Sequence, residues 1–250
     1  MPPRRSKSKT KSLSTKSATK SAPTKPKPPS KIKASAKTKT AALKVSLRTT
    51  LGDPWRPSRE QQLKSIRKRV PDLIAPNLDV LFCGINPGLY SAAVGHHFAG
   101  PGNLFWPTLL AAGLTTRLLS AFDEAELLAL GFGITNLVPR TSASAEEVDK
   151  DELRRGAKAL RRKVLEFKPR FLAICGIVAY RVGFERNKAV VGPQEDKIGD
   201  TTVWLLPNPS GLNAFHQPAI MNQMFTDFRV ALEAARAVPR ETPPPDPSVI

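Results

Sequence analysis

Cysteine is almost missing from this 250-residue chain, with two residues, Cys83 and Cys175, beside only three histidines. Each cysteine ends an apolar run and precedes a glycine, which suits buried strand ends in a reducing compartment better than a disulfide. No Cys/His spacing of a zinc site occurs, and the adjacent His96 and His97 would diverge on an extended loop, so no metal is expected. No apolar run reaches membrane-spanning length and the N-terminus lacks the apolar core of a signal peptide, so no membrane association is expected. Acid is wholly missing from residues 1–50, which carry fifteen Lys/Arg and a charge of +15. Residues 51–250 hold twenty-four Lys/Arg against twenty-one Asp/Glu, leaving +3 of the total +18.

The basic signal therefore belongs to a tail and not to a folded surface. Residues 1–52 are Lys/Ser/Thr/Ala/Pro with few large apolar side chains, too few to order the segment by burial. Such a polycation suits nucleic acid phosphates, where release of counterions drives association. A solubilising or membrane-surface role is the plain alternative. A mitochondrial transit peptide fits less well, because the tail shows no amphipathic period.

Beyond residue 52 the chain alternates apolar runs with helical patterns. Ser58-x-x-Gln61 is a capping-box pattern opening a helix that Pro71 ends. Strands are expected over 80–83, 133–138, 171–175 and 202–206, and helices over 103–112, 123–130, 151–167, 176–183 and 218–237. The helix over 151–167 is the clearest, with Leu153, Ala157, Leu160, Val164 and Phe167 on one face. Strands separated by helices predict a three-layer α/β/α sandwich on a mostly parallel four-stranded sheet. The folded domain is expected over 53–237, followed by a disordered Pro-rich tail over 238–250.

Two loops stand out. Val80-Leu81-Phe82-Cys83 delivers Gly84-Ile85-Asn86-Pro87-Gly88, where two glycines widen the accessible dihedrals and Pro87 stiffens the turn. That places the short polar Asn86 at the carboxyl end of a strand, where open α/β sheets hold their ligands. Gly95-His96-His97-Phe98 and Gly100-Pro101-Gly102-Asn103 follow, and a second loop, Asn208-Pro209-Ser210-Gly211-Leu212-Asn213, succeeds the last strand. Together the segment 80–106 and the loop 206–213 resemble, in the same order, the two motifs of the mismatch-specific uracil/thymine DNA glycosylases. That family lies within the uracil-DNA glycosylase superfamily, and the resemblance runs from about Ala75 to about Ala235.

The resemblance implies a monofunctional glycosylase that removes uracil from mismatches with guanine, with thymine and related damaged pyrimidines left open. The corresponding asparagine activates water, a role for Asn86 that its amide can serve by orienting water but not as a true base near neutral pH. The matching aromatic stacks on the extruded pyrimidine, which points to Phe98. Ile85 offers a backbone contact and a pocket wall, and Asn136 at a strand end can give both donor and acceptor to a pyrimidine edge. His97 could donate to the developing base anion. Ser91 sits where members of the family vary and bears on whether a 5-methyl group fits. From the residues themselves, Gly100 and Asn103, at an expected helix N-terminus, are expected to receive a DNA phosphate through backbone N–H groups. Asn208, Ser210, Gly211, Leu212 and Asn213 are expected to carry an apolar wedge, Leu212, into the vacated stack. Ala214 stands where some relatives have an arginine, which leaves the opposite-strand contact, and the preference for guanine, open.

No cofactor is expected, and no lysine stands in the motif as a Schiff-base nucleophile. The expected partner is double-stranded DNA bearing a mismatched or damaged pyrimidine, bound by a monomer located with the DNA of its cell. A non-catalytic module that binds DNA damage through the same pocket is the main alternative. A small nucleotide-binding Rossmann-like protein is disfavoured, because the glycine fingerprint and ribose-binding acid are missing.

Overall fold

In the computed structural model, residues 56–210 and 217–239 are described. The tail over 1–52, most of that over 238–250, and Gly211, Leu212, Asn213 and Ala214 lie outside the described residues.

Five strands form one sheet: β1 (Val80–Gly84), β2 (Phe132–Asn136), β3 (Phe171–Cys175), β4 (Gly192–Ile198) and β5 (Thr201–Leu206). Their order is β2-β1-β3-β5-β4, parallel throughout except for β4 against β5. The mostly parallel α/β architecture read from the sequence is the one observed. Among the described residues the sheet has five strands, not four. The extra strand, Gly-Pro-Gln-Glu-Asp-Lys-Ile, is a polar edge whose side chains alternate between half-buried and exposed. Pro193, which cannot donate to a ladder, and an irregular register between Pro193 and Lys197 are features of edge strands.

The inner strands are buried on both faces, so each contributes alternate side chains to two cores. Val80 and Phe82 of β1 join Phe132, Ile134, Phe171 and Trp204 on one face of the sheet. Helices α3 (Phe105–Ala111) and α7 (Pro218–Arg236) close this face, through Phe105, Leu109, Phe225 and Phe228. Leu81 and Cys83 point the other way, with Leu172, Ile174, Val203 and Leu205. Helices α5 (Lys150–Phe167) and α6 (Ile177–Gly183) close that side, through Leu153, Leu160, Val164 and Tyr180. These are the three layers.

Four elements depart locally from the expected ones. The first helix, α1 (Arg59–Leu63), opens on the expected capping box at Ser58 but stops well before Pro71. Its Leu63 and, just beyond it, Ile66 remain exposed. The chain beyond is drawn off by Arg67, in a left-handed conformation, and by pairing of Lys68 with Thr141 and Leu73 with Ile134. A short helix, α2 (Leu89–Val94), occupies a stretch read as loop, and Gly95 ends it with φ 80°. The helix expected over 123–130 is split into a 3-10 turn, Ala121–Asp123, and α4 (Glu126–Ala129). The helix over 103–112 starts two residues later, because Asn103 accepts the Phe105 N–H ahead of it. Both cysteines are free and buried, and burial pushes their thiols up, that of Cys175 to about 12. No helix among the described residues is long and apolar enough to cross a membrane.

Candidate active site

Strands β1, β2 and β5 run parallel, so their carboxyl ends open on one edge of the sheet. The segments leaving those ends enclose a cavity of about 180 Å³. It brings together Ile85 and Asn86 after β1, Ser91 in α2, His97 and Phe98, Gly100 and Asn103, Asn136 at the end of β2, and Asn208 and Ser210 after β5. All of the sequence-derived candidates that are described line it. It also takes in Ser142, Ala143, Ser144 and Ala145, which the sequence did not single out.

The first loop is held to the strand beside it. Leu137 and Val138 continue the pairing of β2 by donating to the carbonyls of Gly84 and Ile85, and Ser142 N–H donates to Pro87 O. This brings residue 142 against the turn. Asn86 Nδ2 donates to Ser142 Oγ at 2.7 Å and lies within 3.4 Å of Arg140 O and 3.3 Å of Pro87 O. The Ser142 hydroxyl gives its one proton to Ser144 O, 2.5 Å away, and so can only accept from Asn86. The amide is therefore fixed with nitrogen toward Ser142, and its Oδ1 accepts no hydrogen bond among the described residues. Farther out, Arg140 grips Glu152 through two bonds of 2.5 Å and also donates to Glu147 O, fastening this loop to the start of α5. The guanidinium holds the Glu152 carboxyl down to about 2.

Gly84 is required here for space. A Cβ on it would lie 2.6 Å from Asn136 Oδ1 and 3.3 Å from the Phe98 ring. Gly88, expected to use unusual dihedrals, has an ordinary φ of −75° and open space where a Cβ would stand. Phe98 takes the left-handed conformation instead, at φ 51°, which costs a bulky residue about 1–3 kcal/mol. Bonds on either side hold it there. His97 N–H donates to Glu124 Oε2 at 3.0 Å, and Ala99 N–H donates to Ser91 Oγ at 3.1 Å. The Phe98 ring stacks on Phe105 with centroids 4.1 Å apart and planes 20° from parallel.

The two histidines diverge. His96 Nδ1 meets Glu124 Oε1 at 3.0 Å, so one carboxylate anchors both residues. His97 is buried, with Nε2 2.8 Å from Pro71 O and Nδ1 3.1 Å from Asn136 Nδ2. Burial lowers its pKa, outweighing the Pro71 bond and the carboxylates of Glu124 and Asp72, while the nearby His96 lowers it further. Both ring nitrogens are thus engaged inside the protein.

The two sequence motifs meet through the backbone, where Leu104 N–H donates to Pro209 O at 2.8 Å. Asn208 Oδ1 accepts the Ser210 N–H and sets the turn that begins the second loop. Nothing in a linear reading marks Ser142 or Pro71 as part of the site, because each is brought to it by pairing between distant segments.

Cutting across this geometry, the family model of the uracil DNA glycosylase superfamily matches residues 71–233. That stretch begins at the carbonyl that receives His97 and ends in the helix that closes the sheet, and it holds every described residue that lines the cavity. It spans 163 of the 250 residues, and the chain belongs to the uracil DNA glycosylase superfamily.

Proposed function

We propose that the protein is a monofunctional DNA glycosylase that excises uracil from mismatches with guanine and admits thymine less readily. The observation that carries this reading is the orientation of Asn86. With Nδ2 committed to Ser142, its carbonyl oxygen is left to accept a hydrogen from a water in the cavity. An amide there orients the water without deprotonating it, which suits attack on a sugar centre that has already lost much of its bond to the base.

A base inside the duplex cannot reach the cavity, so the nucleotide is first extruded, and a mispaired base costs least to unstack. Phe98 supplies the platform, with stacking of about 1–3 kcal/mol by analogy with single-strand binding. Asn136 reads the pyrimidine edge and Ile85 forms a wall. Ser91, buried beside them, limits the room for a 5-methyl group. Gly100, Asn103, Asn208 and Ser210 meet the strand that bears the extruded nucleotide, and Leu212 fills the gap. As the bond from C1′ to the base nitrogen breaks, its electron pair leaves with the base. Water then adds at C1′, and the proton it loses passes through solvent to the departed base anion, leaving an abasic site and neutral uracil. Among the described residues no lysine lines the cavity, which supports hydrolysis without strand cleavage.

The test is single-turnover excision on a U·G duplex. Asn86→Ala should slow it by about 10²–10⁴-fold, the usual range for a lost acid–base or water-orienting group, while leaving DNA affinity nearly unchanged. If the wild-type protein binds the duplex without releasing uracil, it is a damage-binding module instead.

A further inference from the structure

His97 sits at the cavity yet has no free ring nitrogen with which to touch a ligand. The Pro71 carbonyl can only accept, so the Nε2 that lies 2.8 Å from it carries a proton. Burial at 2% exposure keeps the ring neutral, and Nδ1 is then a bare lone pair. A lone pair at 3.1 Å from the Asn136 amide selects the nitrogen end of that amide, since an oxygen there would face it without a proton between. The Asn136 carbonyl oxygen is left toward Gly84, 2.6 Å from where a Cβ on that residue would stand, and no described residue donates to it.

We infer that His97 is a positioning residue that sets the donor–acceptor order of Asn136, and through it decides which pyrimidine edge the cavity accepts. This rests on the proposal that Asn136 contacts the extruded base. One amide proton is spent on His97, and the other stands beside the carbonyl oxygen in a fixed order. A uracil edge offers N3–H beside a carbonyl, and a cytosine edge offers a bare N3 beside an amino group. The two are opposite, so an amide that cannot turn over matches one and opposes the other. Mismatched acceptors or donors buried against each other are costly, which makes such a lock an effective filter. A ring that donated through Nδ1 would reverse the order.

The experiment compares 5-fluorouracil with 5-fluorocytosine, each placed opposite an abasic site so that neither has a pair to break. Single-turnover excision is measured for the wild type, His97→Phe and His97→Gln. The wild type should favour 5-fluorouracil. His97→Phe, which removes the acceptor and fills similar space, should narrow the ratio of the two rates at least tenfold. His97→Gln can accept from Asn136 and donate to Pro71 O, and should keep the wild-type ratio within about threefold. Equal losses on both bases in His97→Phe, with the ratio unchanged, would overturn the inference and leave His97 a packing residue. Nitrogen-15 histidine NMR of the free full-length protein supplies a second readout that needs no turnover. It should show His97 neutral with the proton on Nε2, and a proton on Nδ1 at neutral pH would equally overturn it. Were the wild type to excise neither base, the proposed glycosylase activity would fail while the NMR result still decided the polarity of Asn136.

Discussion

Asn86 and Ser142 stand 56 positions apart in the chain, yet the amide nitrogen of one lies 2.7 Å from the hydroxyl of the other. The hydroxyl works as a one-way connector, accepting from Asn86 and donating to Ser144 O. Ser142→Ala should remove the connector and let the amide rotate. A single lost hydrogen bond of about 1.4 kcal/mol corresponds to about tenfold in rate. Excision should therefore fall by that order with DNA affinity unchanged, and Ser142→Thr should restore it. Parallel single-turnover and binding measurements on the three proteins check this.

Asn86→Asp places a carboxylate at the site's asparagine position, but the surroundings here oppose it. One carboxylate oxygen would face Arg140 O and Pro87 O, where the amide nitrogen now donates. The ionised form is thereby disfavoured, so the new carboxyl should titrate above an ordinary aspartate. Excision by this variant should rise with pH through that raised value, whereas the wild-type rate should show no such limb. A pH–rate profile of the two proteins distinguishes them.

His97 and Glu152 should give opposite ends of the acid sensitivity. His97 is held below its ordinary value of 6.5 by burial, so the unfolded chain binds the proton more readily. Stability from this residue is present in full above pH 6.5 and is lost as pH falls toward the lowered value. Glu152, held down to about 2 by Arg140, contributes above 4.5, and that contribution is lost as pH falls from there toward 2. Thermal unfolding of full-length protein should show two separate windows. His97→Phe should flatten the upper one and Glu152→Gln the lower.

Leu212 follows a turn whose start, Asn208 to Ser210, is set by an internal hydrogen bond. Leu212→Ala should slow excision from mismatched duplex and weaken binding to it, with a smaller effect on uracil in single strands, where no stack has to be refilled. Equal losses on both substrates would point to a damaged cavity in place of a lost wedge.

Deleting residues 1–50 removes fifteen positive charges and no candidate site residue. The single-turnover rate at saturating protein should stay unchanged, while affinity for undamaged DNA falls. The slope of log affinity against log salt should flatten, since each neutralised phosphate contributes about 0.9 to it on duplex DNA. An unchanged slope would refute a DNA-tethering role for the tail.

The legible parts of the fold were those whose side chains face only one kind of environment. Val80-Leu81-Phe82-Cys83 is apolar at every position because both of its faces are covered, and the sequence reads as a central strand for that reason. In β4, Pro193, Glu195 and Lys197 obey edge requirements, and these look like loop composition until the partner strand is present. The helix Leu89–Val94 lacks a polar face and follows a Gly-Pro-Gly-rich turn, so its periodicity is too short to register. At the site, Asn86, Phe98 and Asn136 were visible because they sit at strand ends or in glycine-rich loops. The parts that restrain them were not, since Ser142, Pro71 and Glu124 owe their positions to tertiary pairing.

The bond from Leu104 N–H to Pro209 O fastens the two motif loops through main-chain atoms alone. Side-chain replacements at either position leave both of its atoms in place, and at residue 104 only proline would take the donor away. The chemistry of the pocket can thus drift at Ser91, Phe98 or Asn136 while the two loops stay joined. If the lining is what selects the substrate, that selection can change on a chassis whose coupling loses an atom only when proline replaces Leu104.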